Sequence, residues 1–231
     1  YVQLRERMGQ RDDFQPGDLD TSRALFEEGN GELVPRAFDV WTLLAGLPVP
    51  TPLCRALADL AEEVAALLPA DVRFYRVRPS AYHWEAFILQ RPDERLTGAQ
   101  RRAAVELAAT ALEAAVPLTL HYRGWLLTPD GTLIACGHGP VDPLRETLRH
   151  SLPWASPRQS ELGHISLGRL LDPDGSALYE RLMERMAAER QRDLGAFSID
   201  RLRYVHETRW YMQERRQVAV FCLGGNAPVA G

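Results

Sequence analysis

An α+β architecture of two similar lobes is what this chain of 231 residues predicts. The first observation is a pair of short apolar runs that each carry a histidine near the start. They read Tyr82-His83-Trp84-Glu85-Ala86-Phe87-Ile88-Leu89 and Gly163-His164-Ile165-Ser166-Leu167-Gly168-Arg169-Leu170. The second is a shared register. Leu89, Pro92 and Asp93 stand at +6, +9 and +10 from His83, and Leu170, Pro173 and Asp174 stand at the same offsets from His164. Helix-like stretches follow at Thr97–Val116 and Gly175–Leu194, and at +35 strand-like runs resume at Leu118 and Ile199. Agreement in punctuation, helix length and strand resumption points to an internal duplication. The third is connectivity. Strands alternate with helices, but several are joined by hairpins, which argues against a doubly wound parallel sheet. Neither G-x-G-x-x-G nor G-x-x-x-x-G-K-[ST] occurs.

The elements can be placed in order. Residues 1–36 are polar, with scattered Gly, Asp and Pro, and read as an N-terminal arm. Residues 37–224 read as a single domain with the internal repeat, and 225–231 as a tail. Ala37–Leu44 alternates as a strand, with Phe38, Val40 and Thr42 against Trp41 and Leu43. Thr51–Leu68 has an amphipathic helical pattern, with Thr51 as a cap and Pro52 in the first turn, and Pro69 ends it. Val72–Val77 alternates again and turns through Arg78-Pro79-Ser80 into the first histidine strand. Leu118–Leu127 and Thr132–Cys136 form a hairpin about Thr128-Pro129-Asp130-Gly131. Asp142 caps a short helix to Leu152, with Pro143 at its first turn. Strands near Ile199–His206 and Gln217–Leu223 close the chain.

Composition narrows the function. The net charge of -4 argues against a surface that coats nucleic acid, while leaving room for a local basic cleft. No apolar run approaches the ~20 residues of a membrane span, and no secretory apolar core lies near the start. Cys54, Cys136 and Cys222 are sparse and widely spaced, as expected of reduced core thiols in a cytoplasmic protein. All 27 basic side chains are arginine. Covalent chemistry through a lysine nucleophile is therefore excluded, and the arginines suit bidentate phosphate contacts as well as a coding bias.

The strand period of two places His83 with Glu85, and His164 with Ser166, on one face of each run. If the lobes are equivalent, two histidines can supply a base and an acid to one bond. Imidazole does either near neutral pH. A hydroxyl two residues on can donate to a developing oxyanion.

These runs resemble the paired H-x-[ST]-hydrophobic motifs of the 2H phosphoesterase superfamily, also called the RNA ligase-like or cyclic phosphodiesterase family. His164-Ile165-Ser166-Leu167 matches the motif, whereas His83-Trp84-Glu85-Ala86 departs from it at the third position. The likeness spans roughly residues 36–224. It implies antiparallel sheets lining a central cleft, helices outside, and catalysis without a metal or cofactor. His83 and His164 would be the acid–base pair and Ser166 the phosphate donor. The implied substrates are cyclic or 2′-linked phosphodiesters of nucleotides or RNA ends, with no obligatory protein partner. A noncatalytic nucleotide- or RNA-binding module on the same fold is the alternative.

Glu85 keeps several readings open. As a carboxylate it repels phosphate; it can hold His83 protonated; it can bind a sugar hydroxyl or base edge; or it marks a half-site that has lost catalysis. Arg78 and Arg158, ahead of the two histidine runs, are further candidates for phosphate contact. His121 reads as a packing or surface residue, His138 as a loop residue, and His150 as a cation at a helix end. His206 and Glu207 read as a surface or edge pair. No metal-ligand spacing is recognisable among them.

Overall fold

The structure, a computed structural model, describes residues 1–29, 32–172 and 175–225. It opens with helix α1 (Val2–Gly9), helix α2 (Asp20–Ala24) and a hairpin of β1 (Phe26–Gly29) and β2 (Glu32–Pro35). Then come β3 (Ala37–Gly46), α3 (Thr51–Ala65), β4 (Phe74–Arg76), β5 (His83–Gln90), α4 (Gly98–Glu113), β6 (Leu118–Leu127) and β7 (Thr132–His138). The remainder is α5 (Asp142–Ser151), β8 (Ile165–Leu170), α6 (Ser176–Ala188), β9 (Asp193–Ile199), β10 (Arg201–Arg209) and β11 (Glu214–Cys222).

Two antiparallel sheets carry the lobes. One has the order β11-β10-β3-β5 and the other β4-β8-β7-β6-β9. Reading outward from each histidine strand gives β5-β3-β10-β11 and β8-β7-β6-β9, so the lobes are related strand for strand. The units β3-α3-β5 and β7-α5-β8 are the two copies. After each copy the chain crosses over. Helix α4 leads from β5 into β6 of the other sheet, and α6 leads through β9 to β10, which returns to the first. Helix α3 packs on β8 and β9, while α4 packs on α5 and β11.

Equivalent β-bulges mark the duplication more finely than the sequence does. Leu43 pairs with Phe87 and Leu44 with Glu85, which leaves Ala86 unpaired. Leu133 pairs with Gly168 and Ile134 with Ser166, which leaves Leu167 unpaired. Each bulge lies three residues after its histidine. A bulge reverses the alternation beyond it. Arg169 therefore shares a face with Ser166, where a strict period of two would send it to the back.

Several expectations need correcting. Residues 1–36 are not a free arm. Met8, Phe14, Leu19 and Phe26 are buried in the core, and the Tyr1 hydroxyl bonds both the N–H and the carbonyl of Gly137, each at 3.1 Å. These anchors are single apolar residues among charged ones, with no period to reveal them. The second long helix ends at Ala188, and the residues expected as its tail begin β9. Ile199 consequently closes an edge strand, and β10, the counterpart of β6 in the repeat, begins at Arg201. Pro50, not Thr51, occupies the N-cap of α3, and Val141, not Asp142, that of α5. The expected repeat positions Pro173 and Asp174 lie outside the described residues, as do 226–231 of the expected tail. No helix among the described residues is long and apolar enough to cross a membrane.

Gly137 meets Gly163, next to the second histidine, at a point with no room for a side chain. A Cβ on Gly137 would lie 2.0 Å from the Gly163 carbonyl oxygen. Gly137→Ala is expected to lower stability by about 2 kcal/mol or more, since backbone must move. Urea unfolding of both proteins measures this, and an unchanged midpoint would contradict the close approach.

Candidate active site

Strands β5 and β8 come within 8 Å of each other, Cα to Cα, with His83 opening β5 and His164 immediately ahead of β8. The segment before each histidine strand lines the free edge of the other. The Val77 N–H donates to the Leu167 carbonyl at 2.9 Å. Ahead of β8, the Gln159 side chain accepts from the Ile88 N–H at 2.8 Å and donates to its carbonyl at 2.7 Å. Arg145 of α5 locks this junction. Its buried guanidinium donates to the carbonyls of Ala86 (3.0 Å), Glu85 (3.2 Å) and Leu162 (2.9 Å), and lies 5.4 Å from the Trp84 ring centre.

Both histidines are half-buried. His83 Nδ1 lies 2.8 Å from the Ala81 carbonyl, so Nδ1 carries the proton and Nε2 is left with its lone pair. Burial lowers the His83 pKa, the Ala81 carbonyl opposes this, and Arg215 adds to it. His164 is pushed down to about 4, chiefly by burial, with the charges of His83, Arg145 and Arg169 adding to the effect. Both rings are therefore neutral at neutral pH, and His83, with its carbonyl partner, is the readier to accept a proton. His164 Nδ1 and Arg145 Nη1 are buried without a partner among the described residues.

Ser166 is half-buried, and its hydroxyl makes no hydrogen bond to another described residue. Arg169, brought to its face by the bulge, donates to Ser22 Oγ (2.8 Å), Asp130 (3.0 Å) and the Tyr211 hydroxyl. Tyr211 belongs to the β10–β11 turn, so this face of the second sheet looks toward the first. The second half-site is thus polar, with Arg169 held in an ion pair with Asp130.

The first half-site is acidic. Glu85 pairs with Leu44 and His83 with Gly46, so both face one side of the sheet. The register across β3 places Glu207 on that side as well, opposite Val40. Burial raises the Glu85 carboxyl, opposed by Arg91, Thr42 and Arg145. Glu207 is 4% exposed and accepts from the Met212 N–H at 2.6 Å. Burial, reinforced by the Glu85 charge, pushes it up to about 8.

The two arginines expected at phosphate fare differently. Arg158 is committed to Asp93 (2.5 Å) and Glu94 (3.0 Å) on the surface, which removes it from the site. Arg78 is exposed ahead of the first histidine strand and has no described ion pair. His206 and Glu207 are not an edge pair, because neighbours on a strand point oppositely. His206 bonds Asp39 at 2.8 Å and stacks on Trp41. Sequence reasoning misses Glu207 because the strand it predicts stops at His206, and Arg169 because the bulge is invisible. Arg145 carries no motif at all. Among the described residues, no group of three His, Cys, Asp or Glu is arranged to hold a metal ion.

No family model matches the chain, and no curated protein matches it by sequence. Solved structures do match. TT0787 of Thermus thermophilus aligns at TM-score 0.56 and 14% identity, over 81% of this chain and 100% of that one. A phosphoesterase aligns at TM-score 0.50 and 14% identity, over 80% and 98%. E. coli LigT complexed with 3′-AMP aligns at 0.51 and 13%, over 81% and 98%. The fold is that of the 2H phosphoesterases.

The Glu207 carboxyl gives a stability signature. Its folded pKa lies above the ordinary value of 4.5, so the folded state holds the proton more tightly than the unfolded chain. Stability from this group is complete below pH 4.5 and falls as pH rises toward about 8. Glu207→Gln is expected to flatten that decline and to raise stability near pH 8 by a few kcal/mol. Urea midpoints from pH 4 to 9 measure it, and parallel curves for the two proteins would refute the buried proton.

Proposed function

We propose that the protein is a metal-independent phosphodiesterase acting on a cyclic or 2′-linked phosphodiester of a nucleotide or RNA end. The observation that carries this is the approach of two bulged strands, each presenting a histidine and a polar group two residues on. His164, the harder ring to protonate, is the base that activates water or a hydroxyl. His83, with Nδ1–H held by Ala81, is protonated at Nε2 and is the acid for the leaving oxygen. Ser166 donates to a non-bridging oxygen, and the unpartnered Nη1 of Arg145 offers a further donor. The substrate's own negative charge raises both histidine pKa values on binding. The three cysteines, none in a disulfide, fit a cytoplasmic setting.

Glu85 fits this reading as a neutral acid. A protonated carboxyl can donate to phosphate where the family has a hydroxyl, and burial favours the protonated form. A noncatalytic nucleotide- or RNA-binding module is the alternative, and the acidic first half-site is what favours it. Turnover of 2′,3′-cyclic nucleotides, 2′-5′ oligonucleotides and cyclic dinucleotides, followed by phosphorus NMR, separates the two.

The pH dependence follows from the neutral histidines. One must be protonated in the free enzyme, and both are shifted downward. The kcat/KM profile is expected to be bell-shaped with its maximum below about pH 6.5. His83→Ala and His164→Ala should each lose roughly 10²–10⁴-fold in the chemical rate, with the fold intact by circular dichroism. EDTA should leave the rate unchanged. A maximum above pH 7.5, full activity in His164→Ala, or strict dependence on added Zn²⁺ or Mn²⁺ would each contradict the mechanism.

Glu85 loses its donor as pH rises, whereas threonine keeps one. Glu85→Thr is therefore expected to raise kcat/KM for a 2′,3′-cyclic mononucleotide at pH 7.5 by about tenfold, equivalent to ~1.4 kcal/mol of barrier. A loss on every substrate would instead assign Glu85 to recognition of the sugar or base.

A further inference from the structure

Near the candidate active site lies a cavity of about 390 Å³ whose lining includes three arginines and two histidines. Arg5 of α1, Arg123 of β6 and Arg190 from the connection after α6 line it together with His121, His138 and Tyr1. No Asp or Glu is among its lining residues. Asp193, which pairs with Arg123 across the strands, has its carboxylate bonded to the Gly195 N–H at 2.9 Å. Arg123 and Arg190 are exposed and have no ion pair among the described residues. Arg5 reaches Cys136 Sγ through Nη2 at 3.7 Å, and its Nη1 is buried with no partner. Three guanidinium groups without carboxylates repel one another, and an anion relieves that repulsion. The depressed pKa of His138, owed first to burial, with Arg5 and Arg123 adding to it, is consistent with the same positive field.

The cavity continues the active-site face. Ile134 pairs with Ser166, and Cys136 and His138 follow it on the same side of β7. The backbone of Gly137, next to His138, abuts that of Gly163, next to His164. The arginine-lined space thus lies along the same face of the second sheet as Ser166.

We infer that Arg5, Arg123 and Arg190 hold backbone phosphates of a single-stranded nucleic acid whose terminal phosphodiester lies between His83 and His164. This rests on the proposed function for its direction, and it commits the substrate to an oligonucleotide end rather than a free cyclic mononucleotide. Guanidinium groups chelate phosphate oxygens, and the Tyr1, His121 and His138 rings offer surfaces on which a base can stack.

The test uses Arg123→Ala/Arg190→Ala, two exposed positions, with Arg5 untouched because it is packed. Binding of a fluorescein-labelled hexaribonucleotide ending in a 2′,3′-cyclic phosphate is followed by anisotropy between 50 and 300 mM salt. The variant should bind about tenfold more weakly. Its salt slope should fall by about 1.4, since each phosphate that an arginine no longer neutralises on a single strand removes ~0.7. The loss in kcat/KM should be at least tenfold greater for the hexaribonucleotide than for the cyclic mononucleotide. Unchanged affinity and slope, or equal losses on both substrates, would overturn the inference. If the wild-type protein turns over nothing yet binds the oligonucleotide with the expected difference, the arginine site stands and the catalytic reading falls. Turnover of the mononucleotide with no oligonucleotide binding is the reverse.

Discussion

Arg145 is the constraint on which the two halves depend. Its guanidinium ties the bulge of the first histidine strand, through the Glu85 and Ala86 carbonyls, to the Leu162 carbonyl ahead of the second. A buried cation is costly unless its donors are occupied. Here Nε and Nη2 meet the Ala86, Glu85 and Leu162 carbonyls, and Nη1 alone is left without a partner among the described residues. The bulge and the cation thus stabilise each other. Together they fix the spacing between two strands that share no ladder.

Around that junction the duplication has kept its geometry and let its chemistry diverge. Both bulges fall at the same distance from their histidines, so the backbone repeat is intact. The side chains on the two facing surfaces are not equivalent. One carries Ser166 and Arg169, the other Glu85 and Glu207. Such an asymmetry lets two like rings take different protonation roles, since each feels a different surface. Burial removes both imidazoles from charge at neutral pH, and the Ala81 carbonyl then distinguishes them.

Much of this was legible in the sequence, for identifiable reasons. The histidine runs, the hairpin about Pro129-Asp130 and the α4 boundary follow from period, turn chemistry and capping, which are local. Thr97, where the helix-like stretch is expected to begin, is the N-cap of α4 and forms a capping box with Gln100. What local pattern cannot carry was missed. The bulges moved Arg169 to the working face, and β10 ran far enough to include Glu207. Buried anchors such as Met8 and Phe14 stand alone among polar residues, so residues 1–36 read as an arm. Arg158 looked poised for phosphate because its neighbours in space, Asp93 and Glu94, are far from it in sequence.

The crossover of strands has a consequence for how the molecule is made. The first sheet receives β10 and β11 only after all five strands of the second have been made, so half of its strands arrive late. Until then β3 and β5 present an unpaired apolar edge and an uncovered face, the kind of surface that invites aggregation. Neither lobe is a segment that can be cut out and folded by itself, although each is a copy of the other. The repeat is one of shape, while the unit of folding is the whole.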